Sequence, residues 1–328
     1  MPPSPWSSQS TFKHPLIAGA SLGFLYGVFA RYAAGRGENG AFFSVMTLAF
    51  VSIVPLALGF LTVRLHPRPS WPYRIWAPWL PSAAMLVFCY LIGWEGSVCM
   101  IMGLPFVFIG SSIGGLHGGW GLLRGRRTSV AMALLPFAIG PIEHRVPAPD
   151  RIRRLETSIP IHASPATVWA QVVEVPTIRR DETRPALFTT LGFPRPLNAT
   201  LDHPGVGGRR FARFERGVLF IETITHWEPE RHLRFEIDAQ TDSIPPGTLD
   251  EHVTIGGPYF DVLTGDYRLE PQADGTVRLH LTSELRLTTH FNPYAQPWVD
   301  AIMRSIQVNI LEVLRTRAEG GASGGAAG

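Results

Sequence analysis

Ile159-Pro160-Ile161-His162-Ala163-Ser164-Pro165-Ala166-Thr167-Val168-Trp169 is the stretch on which the fold turns. It begins inside an alternating run, Thr157 to His162, and alternation with period two is the mark of a strand. The alternation stops at Ser164-Pro165. A serine there can accept from the first free N–H groups of a helix. A proline at the next position has its φ preset and lacks only an N–H that the helix would not use. Val168, Trp169, Val172 and Val173 then fall on one helical face. A strand therefore feeds straight into a short amphipathic helix.

Downstream lies a loop region with helical turns, rich in proline and charge, up to Pro196. Strand signals then repeat over 197–203, 209–215, 218–227, 232–239, 258–270 and 276–288. Gly205-Val206-Gly207-Gly208, Arg216-Gly217 and Ala273-Asp274-Gly275 supply turns, and Pro245-Pro246-Gly247 sits in a long polar loop, 240–257. In 232–239 the inward set is Leu233, Phe235 and Ile237, opposite Arg234, Glu236 and Asp238. In 276–288 it is Val277, Leu279, Leu281, Leu285 and Leu287. A long helix over 293–318 carries the stripe Trp298, Ile302, Ile306, Ile310, Val313 and Leu314. This order predicts an α+β domain over 155–319, with a curved antiparallel sheet around the last helix and an apolar cavity between them. Residues 320–328, all Gly, Ala and Ser, read as a disordered tail.

The 159–169 opening resembles that of the START/SRPBCC superfamily, the helix-grip fold of polyketide cyclases/dehydrases and lipid-transfer domains. Gly217–Trp227, Gly265-Asp266-Tyr267-Arg268-Leu269-Glu270 before the Asp-Gly turn, and the final helix support it over about 155–318. The resemblance implies a cavity for a hydrophobic ligand. It does not imply catalysis, because many members only bind. Whole-chain similarity is to bacterial membrane-anchored members with an apolar N-terminal half.

Candidate cavity residues are Trp169, Phe220, Phe235, Tyr267, Tyr294, Trp298 and Ile302. In 218–227 both faces are mixed, so the inward side stays open between the Phe220/Glu222/Ile224/His226 set and the Leu219/Ile221/Thr223/Thr225/Trp227 set. Glu222 reads ordinarily as an exposed or salt-bridged residue; turned inward it becomes a buried carboxylate fit for acid/base work. Asp266 and Glu284 are further catalytic candidates of the same type. No histidines stand at metal-ligand spacing, so neither metal nor other cofactor is expected. Gly205–Gly208 lacks the Lys-Ser/Thr end of a phosphate loop and reads as a turn. The Arg209, Arg210, Arg213, Arg216 group is a solvated strand face or a site for an anionic lipid head group.

Upstream the composition changes. Of 328 residues 45% are apolar, which excludes a disordered chain. Residues 1–144 hold nine basic and three acidic side chains, against 20 and 23 in 145–328. The pI near 9.1 comes from arginines set between apolar runs, a membrane-protein habit, so no nucleic-acid partner is expected. After an N-terminal tail, 1–14, four runs approach the roughly 20 residues a bilayer demands: 15–34, 41–63, 75–94 and 97–123. A fifth, 129–142 with Pro136, either spans, re-enters or lies at the interface. Residues 145–154 form a basic, Pro-containing linker to the second domain.

Loop arginines predict an integral inner- or plasma-membrane protein with a cytoplasmic N-terminus. If the fifth run does not span, Arg145, Arg151, Arg153 and Arg154 join the basic side and the C-terminal domain is cytoplasmic; that arrangement satisfies the charge rule better. The first run reads as an uncleaved anchor, since Arg31-Tyr32 stands where a signal cleavage site would be. Gly19, Gly23 and Gly27, and Gly110, Gly114 and Gly118, each line one helix face, for packing within the chain or for a homo-oligomer. His117 reads as a hydrogen-bonded packing residue, and Glu95 as a turn residue at the interface. Cys89 and Cys99 suggest no disulfide framework. Three functions follow: a membrane-anchored binder of a lipid or other apolar molecule, a cyclase/dehydratase-type enzyme, or a structural membrane partner.

Overall fold

The computed structural model describes residues 15–35, 43–65, 70–123, 131–183, 187–240 and 254–324. Contacts divide the chain into two compact units, Met1–Pro147 and Ala148–Gly328.

The first unit is helical: α1 (Pro15–Ala33), α2 (Val54–Leu65), α3 (Trp71–Trp76), α4 (Trp79–Leu91), α5 (Ser97–Leu123) and α6 (Ala131–Glu143). The four expected spans reduce to two. Leu16–Ala33 and Ser97–Trp120 are long and apolar enough to cross a membrane, about 27 and 36 Å at 1.5 Å per residue. The 41–63 run gives turns, a π-helical segment at Ala49–Ile53 and then α2. The 75–94 run is cut by the turn at Ala77-Pro78 into α3 and a 13-residue α4, because Pro78 and Pro81 bring no N–H to the helical hydrogen-bond ladder there. From segment 129–142, α6 takes Ala131 onward and is also only 13 residues long. The tail 1–14 and Arg36, Arg68, Arg124, Arg126 and Arg127 lie outside the described residues.

Glycines set the closeness of this bundle. A Cβ on Gly114 of α5 would stand 1.9 Å from the Leu56 carbonyl oxygen of α2, and one on Gly59 of α2 would stand 1.8 Å from the Ser111 oxygen of α5. Gly110 and Gly118 meet Pro55 and Phe60 on the same helix, and Gly19, Gly23 and Gly27 of α1 meet Thr62, Leu58, Pro81 and Met85. Both glycine faces thus meet side chains and backbone of the same chain. Arg31, near the end of α1, is 2% exposed, 2.5 Å from the Glu95 carboxylate, and it donates to the Gly35 and Trp94 carbonyls. His117 donates to the Ile113 carbonyl one turn back.

The second unit opens with β1 (Asp150–Ile161), so residues 150–154, read as linker, begin the sheet. Ser164 Oγ accepts from the Thr167 amide and Pro165 starts α7 (Pro165–Val173). A single turn, α8 (Leu187–Thr190), precedes β2 (Pro196–Leu201), β3 (Arg209–Phe214), β4 (Leu219–Glu228), β5 (His232–Ala239), β6 (Phe260–Pro271) and β7 (Val277–Thr288). Then α9 runs from Asn292 to Gly324, taking residues 320–324 of the supposed tail into the helix. Residues 325–328 and the Pro245-Pro246-Gly247 loop lie outside the described residues.

The seven strands form one antiparallel sheet in the order β1-β7-β6-β5-β4-β3-β2. Gly275, at φ +83°, makes the β6–β7 turn, and Gly205 and Gly207, at +112° and +88°, make the β2–β3 turn. The sheet's inner face joins α7 and α9 in one core, with Ile161, Val168, Val172, Leu233, Leu279, Leu285, Leu311 and Leu314 buried. Gln307 ties α9 to that face: it accepts from Thr157 Oγ1 at 2.7 Å and donates to the Leu155 carbonyl and Ser283 Oγ.

Candidate functional site

The interior of the second unit holds a cavity of about 90 Å³. Phe220 and Glu222 come from β4, Phe235 and Ile237 from β5, Val262, Gly265 and Tyr267 from β6, and Leu281 and Ser283 from β7. Met303, Ile306, Gln307 and Ile310 of α9 close the opposite wall, and Phe193, Pro194, Phe214, Val218 and Ile255 form the remainder. Gly265 is required by a neighbouring ring: a Cβ there would stand 2.4 Å from Phe235 Cε2.

One wall is polar and charged. Arg210 and Glu222 lie directly opposite each other on β3 and β4. They are 4% and 6% exposed and form an ion pair through Arg210 Nη1 and Glu222 Oε2. Arg210 Nε also donates to the Val173 carbonyl at 3.2 Å, and the guanidinium sits 5.7 Å above the Phe235 ring. The Tyr267 oxygen faces the same guanidinium. Burial pushes the Glu222 carboxyl above the usual carboxylate range, against the pull of Arg210. Burial works against the charge on Arg210 too, but Glu222 and Tyr267 hold it above its ordinary value, so the guanidinium stays charged. Burial raises the Tyr267 hydroxyl to about 12.

The open orientation of β4 resolves through a bulge. Register shifts between Ile224 and His226, so Phe220, Glu222 and Ile224 face inward before it and Trp227 faces inward after it. Trp169 stacks edge-on against Trp227 at 5.1 Å and is not among the lining residues. Tyr294 and Trp298 pair with each other at 6.4 Å near the start of α9, and they and Ile302 also stand outside the lining. Of the expected cavity set, Phe220, Phe235 and Tyr267 come together there. Sequence reading missed Ser283 and Gln307, polar residues on otherwise apolar faces.

Asp266 and Glu284 are not in the cavity. Alternation along β6 and β7 turns them to the opposite face of the sheet. There Asp266 is 3.0 Å from His232 Nε2 and 3.2 Å from Arg268 Nε, and Arg234 stands between it and Glu284. Three carboxylates therefore do not converge, and Glu222 alone faces the ligand space. Among the described residues no group of His, Cys, Asp and Glu could hold a metal ion. Of the arginine group, Arg210 is buried in the pair with Glu222 while Arg209 and Arg213 flank the Phe211 ring at 5.3 and 5.9 Å.

The model of the family described as Polyketide cyclase / dehydrase and lipid transport matches residues 153–319. Among solved structures, the Zhui aromatase/cyclase of Streptomyces sp. R1128 is 14% identical over 52% of this chain and 94% of its own, with a TM-score of 0.33. A norcoclaurine synthase point mutant of Thalictrum flavum, in complex with a transition-state analogue, is 12% identical over 51% and 96%, TM-score 0.31. DynU16, from the dynemicin biosynthetic locus, is 15% identical over 51% of this chain, TM-score 0.30, and the match spans 48% of its length. None of the curated proteins matches the chain.

Proposed function

We infer the function from one premise: the chain belongs to the polyketide cyclase/dehydrase and lipid-transport family. Its second unit binds an apolar small molecule or lipid in the cavity between sheet and α9, and its first unit anchors it in a membrane. The observation that carries the binding reading is a cavity walled by aromatic and aliphatic side chains with one charged pole at Glu222 and Arg210, the usual chemistry of a small-molecule site. Two helices long and apolar enough to cross a bilayer support the anchor, as does the placement of exposed large apolar residues. All but Ile152, Leu197 and Val206 of them belong to the first unit, far more than a water-facing surface of that size ordinarily shows.

The test is native mass spectrometry of the full chain purified from membranes. An apolar molecule released on unfolding, in about one copy per chain, is the expected result. A chain that emerges empty and takes up nothing from a membrane lipid extract overturns the reading. A cyclase/dehydratase-type activity has one specific support, the buried Glu222 carboxyl beside Tyr267 in the ligand space. It predicts that a captured hydroxyketone loses one water in the presence of the chain and not in the presence of Glu222→Gln.

A further inference from the structure

We propose that the cavity selects neutral ligands bearing a hydroxyl group, gripped jointly by Glu222 and Tyr267, and rejects carboxylates with the same apolar body. This rests on the binding reading above and adds the chemistry of the head group it accepts.

The charge arrangement decides the sign. Arg210 is the cation of the pole, and its charge is paired: Nη1 meets Glu222, Nε donates to the Val173 carbonyl, and the guanidinium lies beside the Tyr267 oxygen and over the Phe235 ring. A fatty-acid-like anion entering the cavity would find that positive charge already matched by a protein carboxylate. It would have to lie beside Glu222 in an apolar wall, where its own unmatched negative charge out of water is costly and the neighbouring carboxylate repels it. An anion-binding cavity would need the reverse, a free cation.

The hydrogen-bonding arrangement decides the group. A guanidinium can only donate, so toward Arg210 the Tyr267 oxygen can act only as an acceptor, and the phenolic proton remains to be given. Among the described residues, Arg210 is the one hydrogen-bond partner of Glu222, through Oε2, which leaves Oε1 to accept. Glu222 and Tyr267 both line the cavity. A hydroxyl can donate to Glu222 and accept from Tyr267 at once. A hydrocarbon satisfies neither and leaves the buried carboxylate oxygen bare. The other polar pair does not compete for this role, since Gln307 spends its oxygen on Thr157 and its NH₂ group on Leu155 and Ser283.

The cavity's 90 Å³ suits single-ring probes. The experiment is fluorine NMR of the full chain in lipid nanodiscs with 4-fluorobenzyl alcohol, 4-fluorotoluene and 4-fluorobenzoate, empty nanodiscs giving the partitioning background. The expected order is alcohol first, binding at least about tenfold more tightly than either of the others, the scale of one hydrogen bond to a charged group. Glu222→Gln frees the Arg210 charge, and benzoate should then overtake the alcohol. Tyr267→Phe should weaken the alcohol severalfold and leave the toluene unchanged. Benzoate binding as tightly as the alcohol in the unmodified chain overturns the inference, and so does toluene matching the alcohol; both leave the cavity reading standing. If no probe gives a saturable signal, both fall together. The ranking in the unmodified chain decides the matter even if a variant fails to fold.

Discussion

At the residue scale the pair Arg210–Glu222 is the feature with the largest stake. Removing one member of a buried pair strands the other charge in an apolar wall, which costs about 3–5 kcal/mol, whereas replacing both with apolar residues is often close to neutral. Arg210→Met should therefore lower the unfolding free energy of the second unit by about that amount, and Arg210→Met with Glu222→Leu should recover most of it; denaturant titration followed by Trp fluorescence reads both. Gly265→Ala is a smaller test of the same wall. Its new methyl would meet Phe235 Cε2 at 2.4 Å, and overpacking of this kind costs about 1–3 kcal/mol. The sequence showed that Glu222 could matter but not where it pointed. Strict alternation would send Phe220, Glu222, Ile224 and His226 to one side, and the register shift between Ile224 and His226 breaks that rule. A bulge adds one residue without a compositional mark. In β5, where no shift occurs against β6, the alternation Leu233, Phe235, Ile237 inward holds as read.

At the element scale α9 shows how apolar periodicity reads a face only in part. Of the stripe Trp298, Ile302, Ile306, Ile310, Val313 and Leu314, the last two are buried and Ile306 and Ile310 line the cavity, while Trp298 and Ile302 stand outside it. The buried line also takes in Ala295, Met303, Gln307, Leu311 and Ala318. A polar residue in its centre hid that part of it. Gln307 repays its burial by joining α9 to β1 and β7, so Gln307→Leu should cost about 1–3 kcal/mol by leaving Thr157, Leu155 and Ser283 short of partners. The far end of α9 is held by charge. Arg317 meets the Glu182 carboxylate at 2.8 and 3.0 Å and donates to the Pro176 and Thr177 carbonyls. Its hydrogen bonds hold the Glu182 carboxyl down at about 2, against an ordinary 4.5. A depressed carboxyl stabilises the fold above its unfolded value and loses that contribution as pH falls through its folded value. The Tm of the unmodified chain should thus drop between about pH 4.5 and pH 2 more steeply than that of Glu182→Gln. Equal slopes would place the acid sensitivity elsewhere. The Ser164-Pro165 start of α7 was legible because capping is local: side chain, amide and proline lie within four residues. The short helices of the first unit were not, since hydropathy counts apolar residues and is blind to where a chain bends.

For the whole molecule the change in charge density near residue 146 coincides with the boundary at Pro147 between the two compact units, and the two place their apolar side chains differently. In the second unit apolar side chains turn inward to a core; in the first, exposed ones include Leu25 at 60% on α1 and Ile109 at 61% on α5, each near the middle of a helix long enough to span. The two possible surroundings make opposite predictions for a charge at these places. On a surface facing water, a substitution away from any partner stays within about 0.5 kcal/mol of neutral. In a bilayer core an arginine at the helix centre costs about 2.5–3.5 kcal/mol of insertion free energy. Neither side chain supports the glycine-mediated packing against α2, so the bundle's interior is untouched by the change. Leu25→Arg and Ile109→Arg should each deplete the chain from the alkali-resistant membrane fraction several-fold, with Leu25→Ala and Ile109→Ala as controls that keep it there. Arginine variants that partition like the alanine ones would place this apolar face in water, and the anchor in the proposed function would have to be given up while the cavity reading remained.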